Sequence, residues 1–430
     1  MFGGAKFWYK LRPCYFYGMI KTDACIVGAG PGGVAAALKL SYLGIPSVLL
    51  DKATFPRDKV CGDAISGKVT TLLNRLDPAI LERFNRQPIQ SDVWGIRFVA
   101  PNLRELDIPF QPNYVRRARS APGYVARRYD FDNFLVEEVR RRENIRFVEG
   151  LAVEQYARTE RGWLVSGRGG AFEVDCRMLI VADGAHSAFS RKMAGLEKDP
   201  QHHAGAVRAY FANVRNLNQD NFIELHFIRS ISPGYFWIFP LPGGQANVGL
   251  GMRSDILSRR RLNLRKALFE VIEENPQLEE RFRDAELIGE VKGYGLPLGS
   301  KTRPISGSHY MLVGDAGHLV DPLTGEGIGN AFYSGFIAAE QLQQCLEAGD
   351  FSAPFLKAYD QRVNRVLGSE MRLSYRLQKM LAYPFLVNLL ASFIAGNQKV
   401  IALLSGMYND FALREKLAKP WFWMKLFFKR

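Results

Sequence analysis

The chain has 430 residues, of which 47% are hydrophobic and 23% charged, a composition that indicates a globular protein and excludes a disordered one. The five cysteines are scattered and lack a CxxC spacing, so they predict neither a disulfide framework nor a zinc site, and a reducing cytoplasm is the simplest location. The net charge of +14 suits an anionic partner, but no nucleic-acid motif accompanies it, and we expect no nucleic-acid partner.

Residues 1–18 precede the first predicted strand and lack the continuous apolar core of a signal peptide. Because Met19 stands just before that strand, we expect residues 1–18 to be an extension upstream of the true start. The alternative is a basic aromatic arm that supports contact with a membrane.

A βαβ unit follows. Residues 23–27 read as a buried parallel strand, 34–43 as a helix, and 47–50 as a second strand that ends at Asp51. Between the first strand and the helix stands Gly28-Ala29-Gly30-Pro31-Gly32-Gly33. Such glycines let the backbone approach a pyrophosphate at the helix N-terminus, and an acid at the position of Asp51 can bind a ribose. This order of elements predicts a dinucleotide site.

Beyond Asp51 the alternating pattern is replaced by β-rich segments at 93–99, 207–214 and 222–227, and a hairpin turn is predicted at Pro242-Gly243-Gly244. Helices are predicted at 131–142, 262–274 and 329–346, with mostly helix thereafter. We therefore expect a discontinuous nucleotide-binding domain (19–90, 120–200 and 300–346), an antiparallel substrate domain (91–119 and 201–299) and a C-terminal helical region (347–430). The crevice between the first two is the expected active site.

Two further strands end in acidic, glycine-containing turns. Residues 178–182 lead into Asp183-Gly184, and residues 310–313 lead into Gly314-Asp315, with more glycines up to Gly329. Open α/β sheets bind ligands at strand carboxyl ends, and glycines let backbone amides approach a flat ring system. An ordinary Asp-Gly turn is the alternative at 183–184. The histidines fall at unrelated positions, so no metal site is predicted.

The end of the chain is apolar and then basic. Residues 380–398 carry no charge, but a proline and several polar residues make them a poor spanning segment, and we expect a buried or interfacial helix pair. Residues 414–430 have six Lys/Arg and one Glu among Trp and Phe residues. This tail either contacts an anionic membrane from the inner face or docks its aromatic rings on the core.

Together these motifs resemble the flavoprotein group of 4-hydroxybenzoate hydroxylase and, within it, the geranylgeranyl reductase family. The resemblance covers residues 23 to about 346 and implies an α/β fold, with a Rossmann-type FAD-binding domain interleaved with an antiparallel sheet and followed by helices. It implies that FAD is bound by three turns and their neighbours: Gly28, Gly30, Pro31, Gly33, Asp51, Lys52, Lys59, Cys61, Arg128, Asp183, Gly184, Gly314, Asp315, Gly325, Gly327 and Ile328. Arg127 is a rival to Arg128.

Two stretches narrow the resemblance to the reductases. Lys59-Val60-Cys61-Gly62 is similar to their Lys-x-Cys-Gly element beside the isoalloxazine, and 235–240 is similar to their Tyr-x-Trp-x-Phe-Pro stretch. Cys61, Tyr235 and Trp237 are thereby implied as catalytic residues. One departure is that Pro233 precedes Tyr235 by two positions rather than three. A buried thiol without a role and ordinary core packing of the aromatic residues remain the alternatives.

The resemblance implies an FAD-dependent reductase that saturates C=C bonds of an isoprenoid-like lipid by hydride transfer from flavin N5. Because the chain has no second GxGxxG, either NAD(P)H visits a surface groove transiently or another redox partner reduces the flavin. A flavin monooxygenase or halogenase is the first alternative, since the cofactor motifs are shared throughout the group. A membrane-peripheral electron carrier is the second.

Overall fold

The computed structural model describes residues 18–111 and 121–407. In chain order its strands are β1 (Met19–Val27), β2 (Ser47–Leu50), β3 (Ala64–Ile65), β4 (Gln90–Val93), β5 (Gly95–Val99), β6 (Glu105–Pro109), β7 (Gly123–Ala126), β8 (Ile145–Val148), β9 (Val153–Arg158), β10 (Trp163–Gly167), β11 (Phe172–Val181), β12 (His203–Ala212), β13 (Ile223–His226), β14 (Tyr235–Leu241), β15 (Gln245–Arg253), β16 (Glu286–Pro297), β17 (Ser306–Gly307) and β18 (Tyr310–Leu312). The helices are α1 (Pro31–Tyr42), α2 (Gly67–Leu76), α3 (Pro78–Asn85), α4 (Arg128–Arg140), α5 (Ala188–Lys192), α6 (Ser254–Arg260), α7 (Leu264–Glu274), α8 (Pro276–Phe282), α9 (Ile328–Ala348), α10 (Ala353–Met380), α11 (Pro384–Ala395) and α12 (Gln398–Met407). The N-terminal extension and the basic aromatic tail discussed above lie outside the described residues, apart from Gly18.

The first sheet is built around parallel strands in the order β18-β11-β1-β2-β8, with β17 at one edge and the antiparallel β10 and β9 attached to β11. Its central strands are buried on both faces, as expected of a parallel sheet covered by helices. Helix α1 packs closely against α9 because both carry small residues at the contact. A Cβ atom at Gly335, for example, would lie 2.5 Å from the carbonyl oxygen of Gly32.

The second sheet has the order β16-β12-β15-β14-β13-β5-β6 and is antiparallel except between β13 and β5. One of its faces packs under α7 and α8 through a separate apolar cluster. The other face carries Tyr210, Trp237 and Phe239 and turns toward the first sheet. The central strands β12, β14 and β15 therefore bury side chains on both faces, one face supporting the helices and the other bordering the expected crevice.

Residues 93–99, predicted as one strand, form two. The chain leaves β4, which pairs with β7 in a small third sheet, and enters β5 of the second sheet across Trp94. A Cβ atom at Gly95 would lie 2.5 Å from the Phe222 ring, so the strand changes sheets at a residue without a side chain. The apolar alternation continues across this break, which is why the sequence pattern did not reveal it.

The C-terminal helices α11 and α12 cover one edge of the second sheet. Helices α11 and α12 pack on β5 and β6 through Leu106, Ile108, Ile394 and Val400. The uncharged stretch 380–398 contains α11 and the first residue of α12, and its outer side exposes Phe385 and Leu389 at 67% and 66%. The stretch is therefore one helix with the turns on either side of it, not the helix pair that the sequence predicted, and it is only partly buried.

No single helix in 18–111 or 121–407 is long and apolar enough to cross a membrane. Helices α10 and α11 together reach that length and apolarity, but they are bent by 117° where they join.

The architecture as a whole confirms the predicted fold class. A parallel nucleotide-binding sheet is interleaved in the chain with an antiparallel sheet, and helices follow.

Candidate active site

The first glycine turn connects β1 to α1 and leaves the helix N-terminus uncovered. Gly28 has a φ of +103°, and a Cβ atom there would lie 2.3 Å from the carbonyl oxygen of Ala182 on the neighbouring β11 turn. At Gly30, by contrast, the nearest atom to an added Cβ is 3.8 Å away. Backbone amides at this open helix end, with Pro31 at the first turn, form a cradle that favours an anionic group such as a pyrophosphate.

Asp51 follows β2 and lies beside that cradle. Its carboxylate accepts hydrogen bonds from the backbone N–H groups of Ala29 (2.7 Å) and Ala53 (2.8 Å) and is buried. A carboxylate has about four acceptor positions, so further positions remain for the hydroxyl groups of a ribose. Lys52, the next residue, is exposed at the same rim.

Asp183 follows β11 and carries an unsatisfied acceptor. Its Oδ1 atom is buried and has no hydrogen-bond partner in the described part of the chain. Burial raises the pKa of this carboxyl group to about 6, with an opposing contribution from the Ser187 hydroxyl. At Gly184 the nearest atom to an added Cβ is the Tyr294 hydroxyl, 3.5 Å away. An orphaned acceptor beside an open backbone fits a ligand with hydroxyl groups, such as the sugar and ribityl portions of FAD.

The third turn joins β18 to α9. Gly314 and Asp315 follow β18, and the chain returns through Gly325 and Gly327 before α9 starts at Ile328. An added Cβ at Gly327 would lie 3.2 Å from Asp315 Oδ1, so the two parts of the turn are in contact. The uncapped N-terminus of α9 and the glycines expose backbone amides here as well.

Lys59 and Arg128 bring positive charge to the same space. The Lys59 ammonium lies 3.6 Å from the centre of the Tyr294 ring, and burial lowers its pKa while Asp315 opposes that shift. Arg128 is buried and donates from Nε and Nη2 to Asp132 at 2.6 and 2.7 Å. The rival Arg127 instead stacks on Tyr210, on the side of the second sheet.

These residues surround one cavity of about 690 Å³. Of the residues predicted to bind the cofactor, all except Gly33 line it, and so do Tyr235 and Trp237. Gly33 lies behind the cradle, where an added Cβ would be 1.8 Å from the carbonyl oxygen of Gly28. No cluster of His, Cys, Asp and Glu side chains suited to a metal ion occurs among the described residues.

Strand β14 supplies the aromatic wall of the cavity. The Tyr235 hydroxyl donates to the carbonyl oxygen of Thr324 (2.6 Å), which precedes Gly325 in the third turn. The Trp237 indole packs against β15, where an added Cβ at Gly249 would be 2.3 Å from its ring. The wall is therefore held against the turn that the resemblance assigns to the flavin.

A buried hydrogen-bond network, which the sequence did not reveal, joins this wall to the Cys61 loop. Asn247 accepts from the Trp237 indole (2.9 Å) and donates to the Cys61 carbonyl oxygen and to Asp63, both at 2.8 Å. Tyr210 also donates to Asp63 (2.7 Å). Burial raises the pKa of Asp63 to about 6, and the hydrogen bonds from Tyr210 and Asn247 oppose that rise. A lone amide within the apolar run of β15 was the available signal for a buried partner.

Where α2 and α10 border the cavity, they contribute a second set of polar side chains that the sequence did not reveal. Lys68 is buried, and its ammonium contacts Asn330 (2.9 Å), Glu370 (3.0 Å) and Glu326 (3.2 Å). Asp321, close by, is buried too, and burial and then Glu370 raise its pKa to about 6. This part of the cavity therefore combines fixed charges with an otherwise apolar lining.

Comparisons with known proteins agree with this geometry. Residues 21–372 match the family model described as "FAD binding domain". A digeranylgeranylglycerophospholipid reductase of Methanopyrus kandleri is 31% identical over 370 residues, which cover 84% of this chain and 87% of that protein. A menaquinone reductase of Mycobacterium tuberculosis is 32% identical over 334 residues, or 75% and 76% of the two chains. A solved geranylgeranyl bacteriochlorophyll reductase-like protein of Thermoplasma acidophilum has the same fold, with a TM-score of 0.77, 24% identity, and coverage of 93% of this chain and 99% of that one.

Proposed function

The chain belongs to the geranylgeranyl reductase family of FAD-dependent oxidoreductases, and we propose that it saturates C=C bonds of a prenyl lipid. The observation that carries this proposal is the continuity of the cavity. It passes from the cofactor turns directly to the aromatic wall of β14 and on to apolar side chains of the second sheet and the C-terminal helices: Phe98, Ile108, Leu377, Leu381 and Leu404. The named reductases among its relatives support the same chemistry.

In this proposal the first sheet holds the cofactor, and the second sheet with the C-terminal helices holds the lipid. FAD in its reduced form supplies a hydride from its N5 atom. The residues of the chain must then exclude water and hold an unactivated alkene in one orientation. Trp237 and Tyr235 suit that task because both polar ends are anchored, on Asn247 and on Thr324, which leaves their rings little freedom.

We propose that Cys61, Tyr235 and Trp237 form the face of the site toward the substrate. Saturation of a double bond needs a proton in addition to the hydride, and Cys61 and Tyr235 carry exchangeable protons at this face. The Cys61 thiol lies beside the buried Arg128 guanidinium, close enough to contribute to the electrostatics of that group.

We further propose that the electron donor, NAD(P)H or a separate redox protein, acts transiently. Lys59 and the exposed Lys52 line the same cavity as the cofactor turns. An anionic donor approaching this rim would be attracted by both ammonium groups. The donor need not be identified to test the reaction, because a chemical reductant can replace it.

The direct test is a single turnover without oxygen. Holoenzyme reduced with dithionite and mixed with unsaturated prenyl lipids should reoxidise its flavin and yield a lipid that carries two more hydrogens for each flavin consumed. Mass spectrometry measures the two hydrogens gained by the lipid, and flavin absorbance measures the amount of flavin reoxidised. The control is oxidised holoenzyme without dithionite, which should leave the lipid unchanged.

Other outcomes would identify the alternative functions. A product that gains an oxygen atom when oxygen is admitted would indicate a monooxygenase and overturn the reductase proposal. Reversible flavin reduction with no change in any prenyl alcohol, quinone or phospholipid would indicate an electron carrier.

We also propose that the enzyme works in the cytoplasm, at the inner face of an anionic membrane. Helix α11 exposes Phe385 and Leu389, and Tyr383 precedes it with 55% exposure. Residues 371–407 contain four Lys/Arg and no Asp or Glu. Exposed apolar side chains in a segment whose only charges are cations suit an interface with anionic headgroups, and leucines of the neighbouring α10 and α12 line the lipid cavity.

Replacing Phe385 and Leu389 together by serine should weaken membrane binding by at least about tenfold, since two large apolar side chains no longer leave water. The measurement is cosedimentation with vesicles of phosphatidylglycerol and phosphatidylcholine. Tyr129→Ser is the matched control because Tyr129 is also exposed, at 47%, but lies on α4. Equal binding of the double variant and the wild type would contradict this placement.

A further inference from the structure

Helix α10 carries a polar stripe within the apolar part of the cavity. Glu370, Ser374 and Gln378 are spaced four residues apart, so they lie on one face of the helix, and all three line the cavity. Leucines at 373, 377 and 381 line it beside them. Glu370 is paired with Lys68, and the Ser374 hydroxyl interacts with Asp321, so Gln378 is the residue of the stripe whose polar group remains to be accounted for.

Gln378 provides the sharpest observation. Its side chain is 8% exposed, and its Nε2 group donates to the carbonyl oxygen of Pro322. That carbonyl can only accept, so the orientation of the amide is determined and the other atom must be Oε1. Oε1 is buried and has no hydrogen-bond partner in 18–111 or 121–407. A buried acceptor left unpaired is costly, and a ligand that brings a donor removes this cost.

The surroundings select the kind of donor. Asp321, next to Pro322, is buried, and its Oδ2 atom has no hydrogen-bond partner among the described residues. Burial and Glu370 raise the pKa of Asp321, while the Ser374 hydroxyl and Lys68 oppose that rise. Lys68 is paired with Glu326 and Glu370, so among the described residues this region has three carboxylates for one ammonium. A phosphate would be repelled by these carboxylates and would bring no donor when fully ionised. A neutral hydroxyl group meets both conditions.

We propose that Gln378 Oε1 accepts a hydrogen bond from a hydroxyl group of the lipid in the cavity, so that this subsite binds an uncharged, hydroxylated polar end and rejects a phosphate. The inference rests on the proposed function for the identity of the lipid as a prenyl compound. The hydrogen bond itself does not depend on the prenyl chain, and the two can be tested separately.

The test compares ligands that differ only in the donor. Binding of a tetraprenyl alcohol, its methyl ether and its monophosphate to oxidised holoenzyme is measured by titration of the flavin absorbance, without turnover. We expect the alcohol to bind about tenfold more tightly than the ether, because the ether keeps the oxygen but loses the donor. The monophosphate should bind more weakly than the alcohol.

A variant then assigns the difference to one atom. Gln378→Met has nearly the same volume and a good helix propensity but no acceptor at this position, and should bring alcohol and ether to within about twofold of each other. Gln398→Met, at an exposed position of α12, is the matched control and should keep the wild-type ratio.

Each outcome has one meaning. Equal binding of alcohol and ether to the wild type, or tightest binding of the monophosphate, overturns the subsite and leaves prenyl-lipid reduction standing. Hexadecanol and its methyl ether test the hydrogen bond without a prenyl chain. If that pair shows the Gln378-dependent difference and no prenyl compound binds, the subsite holds and the proposed function fails.

Discussion

Gly33→Ala is expected to prevent the first sheet from forming its native contacts. The added methyl group would lie 1.8 Å from the carbonyl oxygen of Gly28 and 3.3 Å from the Ala182 side chain. Both obstacles belong to buried parts of the turn, so neither can move away as a flexible side chain could. Overpacking in a well-packed core usually costs 1–3 kcal/mol, and a collision with backbone exceeds that range, so we expect a loss of roughly 4 kcal/mol in the free energy of unfolding.

Gly30→Ala is the matched control three residues away. Its methyl group would meet nothing closer than Arg57 Nη2 at 3.8 Å, and its φ of −73° is open to alanine. The apoprotein should therefore keep its stability within about 0.5 kcal/mol. FAD should nevertheless bind more weakly, since Gly30 belongs to the cradle for the pyrophosphate.

Thermal denaturation of the two apoproteins, followed by titration with FAD, separates the effects. Gly33→Ala should have a lower midpoint before any cofactor is added, whereas Gly30→Ala should differ from the wild type only in the FAD titration. Equal midpoints for Gly33→Ala and the wild type would show that the turn tolerates a side chain and that the packing argument is wrong.

The cofactor turns were accessible from the sequence because each is a local pattern. A buried strand runs directly into a glycine turn at Gly28, into Asp183-Gly184 and into Gly314-Asp315, Asp51 ends the strand after the first turn, and strand ends of one parallel sheet meet at one edge. The fold class follows from these repeats and from the β-rich segments between them. Tyr235 and Trp237 were predicted as site residues only through the family resemblance, since alternating aromatic residues on a strand are equally typical of a core.

The polar contacts between the two sheets were not accessible in this way. Asn247 bonds to residues 184 and 186 positions earlier in the chain, and Lys68 contacts Glu370 across 302 positions. No local pattern encodes such a pair, and a single buried Asn or Lys looks like any other polar residue until its partner is known. The same limit applies at Trp94, where the chain passes from the third sheet to the second. The sequence pattern of a strand continues through this residue, so it does not show that one strand ends and another begins.

Asn247→Leu should be the most damaging single change on the side of the second sheet. Asn247 is fully buried and uses its whole amide group to hold the Trp237 indole, the Cys61 carbonyl oxygen and Asp63. Leucine has a similar volume but leaves these groups without that partner. Each unpaired buried group costs about 1–3 kcal/mol, so we expect a loss of roughly 4 kcal/mol in the free energy of unfolding.

Activity should fall together with stability. With the indole N–H released and the Cys61 loop no longer joined to β15, the aromatic wall loses its fixed position against the cofactor. A displacement of about 1 Å in such a site can reduce turnover about a hundredfold. Asn74→Leu, at an exposed position of α2, is the control and should leave both stability and turnover nearly unchanged.

The pH dependence distinguishes loss of this network from a general packing defect. The pKa of Asp63 is raised by burial to about 6, above the 3.8 of an ordinary aspartate, while hydrogen bonds from Tyr210 and Asn247 and charges on Arg208 and Arg128 oppose the rise. The folded state therefore binds the proton more tightly than the unfolded state, and stability falls as pH rises from about 4 through about 6. Removing Asn247 raises this pKa further, so the stability difference between Asn247→Leu and the wild type should widen between pH 5 and about pH 8. Urea unfolding at both pH values measures it, and a difference that stays constant with pH would show that Asn247 does not stabilise the ionised Asp63.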